Sequence, residues 1–355
     1  MKNQNIYVDI NLVQTVPSAN INRDDAGSPK TAIYGGVLRS RVSSQSWKRA
    51  ARLGFDKQGL RTKRLPQLLS KKLQELKNDL TVEEANKKVE EILKAGGIKI
   101  DKKTFETKTL LFVSPWQVQK IAEFSLENEK MDKNDFKEKF NEGNSLDIAL
   151  FGRMVAENPE LNVEAAAQVA HAISTHKITP EYDYFTAVDD GKEADESGAG
   201  MLGTVEYNSS TLYRYANVNM RELNENLGQD DAIAGVLEFI KTFVMSMPNG
   251  KQNSFANKTI PQYVMVTLRP DTPVNLVSAF EEPVKATESG YAVKSIQKLE
   301  EEFNNTQKFV AKPLETFVLT TKNSILDKNV ESLQELLDGV KESLTEVLSD
   351  ESIND

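Results

Sequence analysis

Polar and apolar residues alternate from the start of the chain. Ile6, Val8, Ile10 and Leu12 fall on one side of an extended backbone, which predicts a half-buried strand near the N-terminus. Thr31 to Val42 reads as a second extended segment, interrupted by Gly35-Gly36. Ser43-Ser44-Gln45-Ser46 then supplies groups suited to capping a helix that runs through Trp47-Lys48-Arg49-Ala50-Ala51-Arg52-Leu53 and stops near Gly54. From about Leu65 the period becomes helical. Leu69, Leu73 and Leu76 form one stripe, and Val82, Ala85, Val89, Ile92 and Leu93 form another. Thr81 and Glu84 are spaced as a capping box, and Gly96-Gly97 is a stop. Thr109 to Val113 predicts a short strand, followed by charged helices over Trp116 to Glu129 and Asp132 to Phe140. Extended character returns at Thr211 to Asn219 and Gln262 to Leu268, flanking an amphipathic helix from about Asp230 to Met247.

Strands and a helix at each end with helices between predict an α+β fold, a sheet of the ferredoxin or RNA-recognition type split by a helical insertion. The expected boundaries are 1–57 and 145–355 for the two parts of the sheet domain and 58–144 for the insertion. Residues 189–200 lack apolar side chains large enough to pack and are expected to protrude as a mobile loop. No internal repeat is evident.

Composition narrows the chemistry. The chain has no cysteine and two histidines, His171 and His176, five apart with no glutamate between them, which disfavours disulfides, thiolate catalysis and a zinc enzyme. No run of about 18 apolar residues occurs, and Met1 to Val13 lacks the layout of a secretion signal, so no membrane partner and a cytoplasmic location are expected. The net charge of -9 argues against a nucleic-acid partner until its distribution is read. Asn20 to Arg64 holds eleven basic and three acidic residues, a local +8, whereas Leu326 to Asp355 holds nine acids and two lysines. Within the basic segment, Arg39, Arg41, Ser43, Ser44, Gln45, Lys48, Arg49 and Arg52 lie where a strand passes into a helix N-terminus, an arrangement suited to phosphate. A capped surface helix with solvated cations is the alternative. The adjacent carboxylates of Asp24 and Asp25 invite a metal-dependent nuclease reading. Lys130, Lys133 and Lys137 are interleaved with acids, as on a solvated helix face.

Asn22-Arg-Asp-Asp25, Tyr34-Gly-Gly36 and Arg41-Val-Ser-Ser-Gln-Ser-Trp-Lys-Arg49 resemble the CasC family, the backbone subunit of the type I-E CRISPR surveillance complex, Cascade. The similarity continues collinearly through Asp147 to Met154, Ala170 to His176, Tyr184 to Asp190, Leu202 to Thr204, Tyr213 to Asn219 and Gly250 to Gln252. It implies a hand-like protein, with an RNA-recognition palm, helical fingers, and a thumb from the loop after Phe185, about 186–210. It further implies a subunit without catalysis, metal or cofactor that binds crRNA, stacks head to tail with further copies, joins other Cascade subunits, and presents the guide to target DNA. By position, Arg23, Lys30, Ser43, Gln45, Lys48, Arg49 and Arg52 are expected to face the RNA backbone. Met154 and Phe185 match an apolar pair that wedges at a displaced nucleotide, and Lys251 and Gln252 match a further RNA-contacting turn. Val37 and Leu38 stand where some relatives carry a denser basic cluster. The rival from another class is a metal-dependent RNA endonuclease subunit using Asp24 and Asp25 or acids of residues 189–196.

Overall fold

The computed structural model describes residues 5–155, 157–187, 191 and 201–352. The 189–200 segment expected to protrude lies, apart from Gly191, outside them. Contacts divide the chain into two units, one of residues 1–51, 169–217 and 239–355 and the other of residues 52–168 and 218–238.

The first unit is built on a large, mostly antiparallel sheet. Strand β1 (Tyr7–Ala19) lies between Tyr263–Arg269 and the long strand Met201–Asn219. Beyond Tyr263–Arg269 come Glu315–Thr320 and Asn329–Val330; beyond the long strand come Ala172–Ser174, β3 (Val37–Val42) and β2 (Thr31–Tyr34). The alternation in β1 sets its register: Val8, Ile10 and Leu12 face Leu268, Val266 and Val264.

Alternation predicts one wet face for β1, and the structure corrects this. Asp9 and Asn11 on that face, and Gln14 on the opposite one, are as buried as their apolar neighbours because each finds a fixed partner. Asp9 accepts from Arg269 Nε at 2.8 Å and Tyr215 Oη at 2.8 Å, Asn11 accepts from Tyr213 Oη at 2.7 Å, and Gln14 accepts from Arg214 at 2.6 Å. Around Asp9 and Asn11, Tyr213, Tyr215, Tyr263, Met265, Leu276 and Phe280 pack against Ile296, Leu299 and Phe303 of the helix Ala292–Thr306.

The Gly35-Gly36 interruption is a hairpin turn. Tyr34 pairs with Val37, and both glycines have positive φ, +57° and +75°, the mirror-image turn that suits strand twist. The chain leaves β3 into helix α1 (Ser44–Arg52), anchored by Trp47 and Ala51. Arg214 lies 3.7 Å over the Trp47 ring, which meets Phe243 edge-on at 6.4 Å.

The second unit is mainly helical. Leu65–Leu76, Val82–Ala95, Pro115–Glu127 and Lys133–Asn141 bury one stripe each in a common core with Leu69, Val89, Ile121, Phe136 and Phe140 at its centre. Local sequence dictates the starts: Thr81 with Glu84, Ser114 with Gln117 and Asp132 with Asp135 each form a reciprocal capping box. Among the described residues no helix is long and apolar enough to cross a membrane.

Candidate nucleic-acid interface

Three separated stretches of the first unit come together at the end of β1. In the loop that follows it, Asn22 accepts from the Ser43 N–H at 2.8 Å, tying the loop to the start of α1. Lys30 N–H donates to Asn22 O at 2.8 Å, and Arg41 N–H donates to Lys30 O at 2.9 Å, which fixes Lys30 beside β3. From more than two hundred residues further along the sequence, Gly250 approaches so closely that a Cβ there would stand 2.4 Å from Ile21 O. The next residue, Lys251, adopts the left-handed conformation and opens the turn Gln252–Phe255. The basic loop, the strand-to-helix junction and the Lys251-Gln252 turn therefore share one locality.

Arg23, Gln45 and Arg49 are exposed here, and Lys30, Arg41, Ser44, Lys48 and Lys251 are half-buried. Gln45 and Arg49, four residues apart, share the outer face of α1 opposite Trp47 and Ala51. Among the described residues Arg23, Lys30, Arg41, Arg49 and Lys251 make no ion pair with the protein's own carboxylates. Such cations keep their attraction for an external anion.

Three expected contacts are placed differently. Arg39 is wholly buried and serves the fold, with Nη1 donating to Ser174 O at 2.9 Å, Nη2 to Phe280 O at 2.7 Å and Nε to Tyr34 O at 3.1 Å. It cannot reach a phosphate. Arg52, in the second unit, donates through Nε to the buried Asp147 carboxylate at 2.7 Å and through Nη2 to Gly59 O at 2.8 Å. That charge is already matched. Ser43 is buried; its N–H is held by Asn22 and its carbonyl accepts from Ser46 and Trp47.

Asp24 closes its own turn, its carboxylate accepting from Ser28 N–H at 2.9 Å. Among the described residues no three His, Asp or Glu side chains are grouped as a metal ion would require.

The apolar pair is described in separate units. Phe185 stands opposite Gly203 in the hairpin of Glu181–Ala187 with Met201–Tyr207, and its ring covers the space that a Gly203 Cβ would fill, 2.4 Å away. One face of the ring is thereby supported by backbone while the side chain stays 37% exposed. Met154 is 81% exposed beside the buried Arg153, whose guanidinium donates to Leu161 O at 2.8 Å and Asn141 Oδ1 at 3.0 Å. Burial pulls the Arg153 pKa down to about 9.

A model of the family described as CT1975-like protein matches residues 8–346, nearly the whole chain. The chain belongs to the CT1975-like family. In keeping with that membership, it is similar to a chain of a solved structure titled as a CRISPR RNA-guided surveillance complex, pre-nicking. The identity is 32%, with 95% of this chain and 100% of that one covered and a TM-score of 0.82. A chain from a second CRISPR RNA-guided surveillance complex is 30% identical over 95% of this chain and 99% of its own length, with a TM-score of 0.65. No curated protein matches.

His171, which the sequence of this CT1975-like chain offers only as an unsuitable zinc ligand, has its ring against Arg41, with Nδ1 3.1 Å from Nη1. The signal is the pairing of β3 with Ala172–Ser174, which a linear reading does not contain.

Proposed function

We propose that this chain is a backbone subunit of a type I-E Cascade. It grips guide RNA by its sugar-phosphate backbone, stacks head to tail with further copies, and holds the guide open for pairing with target DNA, catalysing no reaction itself. The observation that carries this reading is the gathering of Arg23, Lys30, Arg41, Arg49 and Lys251, from three distant stretches, without carboxylate partners among the described residues. A subunit that accepts any guide must touch phosphates and riboses and leave base edges alone, and cations with amide and hydroxyl donors do so. The similarity to chains of RNA-guided complexes supports the same role.

On this reading the sheet unit is an RNA-recognition palm, the helical unit the fingers, and the hairpin bearing Phe185 the thumb. Phe185 and Met154 each offer an apolar face to a base without regard to its identity, worth about 1 to 3 kcal/mol per good base contact.

The test is the salt dependence of RNA binding by the full chain and by Arg49→Ala with Lys251→Ala. The double variant is expected to bind every single-stranded RNA more weakly by a similar factor. Its log affinity against log salt should be shallower by about 0.7 for each phosphate that is no longer neutralised. A weakening confined to one RNA sequence, or an unchanged slope, contradicts the reading.

A further inference from the structure

We propose that His171 is an additional contact to the ribose-phosphate backbone, acting as an uncharged N–H donor to a phosphate oxygen and held in the required tautomer by Arg41. The inference rests on the RNA-binding reading above and adds a residue of a different chemical kind.

The geometry begins in the sheet. In the antiparallel pairing of β3 with Ala172–Ser174, Arg41 stands opposite Ile173 and Val42 opposite Ala172. His171, two residues from Ile173, falls on the Arg41 side of the sheet as its diagonal neighbour, a spacing long side chains span. Arg41 Nη1 lies 3.1 Å from His171 Nδ1. A guanidinium has donors only, so Nδ1 must be the acceptor, the ring must be neutral, and its proton must sit on Nε2. Arg41 is itself steadied, its Nε donating to Thr31 O at 3.0 Å. His171 is exposed, and among the described residues nothing else hydrogen-bonds to its ring.

Protonation of that ring is opposed from each charged side. Partial burial, then the neighbouring charges of Arg41 and Lys30, hold the His171 pKa below its ordinary 6.5. At neutral pH the residue therefore presents one outward N–H and no charge, flanked by two cations. A donor in that field is matched by an anionic oxygen, and the phosphate diester of the proposed ligand supplies one.

The experiment compares His171→Ala, His171→Gln and Arg41→Ala in the full chain, using a mixed-sequence single-stranded RNA and a salt series at neutral pH. His171→Ala is expected to weaken binding about tenfold, as the loss of a hydrogen bond to a charged group does. It should leave the salt slope unchanged, because no charge is removed. His171→Gln, with an acceptor for Arg41 and an N–H for phosphate, should recover most of that loss. Arg41→Ala should weaken binding and also flatten the slope by about 0.7. Long-range proton–nitrogen NMR of the unbound protein should find the ring proton on Nε2. Wild-type affinity in His171→Ala, a slope flattened as far as in Arg41→Ala, or a proton on Nδ1 overturns the proposal. If the unaltered chain binds no RNA, the proposed function fails and this contact fails with it. If the unaltered chain binds and His171→Ala binds equally, only the contact fails.

Discussion

Asp9 receives donors from three directions: Arg269 Nε at 2.8 Å, Tyr215 Oη at 2.8 Å and Val274 N–H at 3.0 Å. Burial nevertheless lifts its carboxyl from the ordinary 3.8 to about 6, against the pull of Val274, Tyr215 and Arg269. The folded chain thus holds this proton more tightly than the unfolded chain. The linked stability is fully present below 3.8 and is lost as pH rises through about 6. Asp9→Asn removes the linkage, so urea unfolding should show wild type gaining on the variant as pH falls from about 7 to about 5. A gap that stays constant over that range contradicts the assignment. Asp9→Ala should cost about 3 to 5 kcal/mol, because it leaves the Arg269 charge buried without a counter-ion. Residue identity alone separates none of this: Arg39, Arg52, Arg269 and Arg49 are the same residue type in the sequence. The first three are consumed by carbonyls and carboxylates that arrive from 5 to 260 positions away. Arg49 points outward from α1 and is exposed. Local charge density marks the segment that holds the candidate interface, while long-range partners decide which of its arginines serve the fold instead.

At the scale of elements, the legible features were those written in neighbouring residues. The Thr81 and Glu84 capping box, the helix that runs through Trp47 to Arg52 and the extended run of β1 are short-range consequences of side-chain type. The turn carrying Lys251 and Gln252 is different, because its position depends on Gly250 lying against Ile21, more than two hundred residues earlier. A Cβ on residue 250 would meet Ile21 O at 2.4 Å, and the obstacle is backbone, which cannot rotate away. Gly250→Ala should therefore lower the melting temperature by several degrees and weaken RNA binding as well. Wild-type affinity in Gly250→Ala would show that the turn takes no part in binding.

For the whole molecule, the densest basic and acidic stretches lie far apart in sequence. The acidic C-terminal segment is largely the helix Leu333–Ser352, which buries Leu336, Leu337, Val340 and Leu344 and exposes Glu335, Asp338, Glu342 and Glu346. Arg23, Lys30, Arg41 and Arg49, in the loop after β1, β3 and α1, make no ion pair with a carboxylate among the described residues. The α+β class and the helical middle follow from periodicity. The strand order of the large sheet does not, since Ala172–Ser174 enters it through pairings with β3 and with the long strand. That one short strand brings His171 to Arg41. Sequence-independent grip on RNA is the claim on which the account turns. The most direct measurement is the equilibrium affinity of the unaltered full chain for several single-stranded RNAs of equal length and unrelated sequence, each over a salt series. The account predicts affinities that agree within about twofold and fall steeply and in parallel as salt rises. No binding, or affinities that spread over orders of magnitude with sequence, would contradict it.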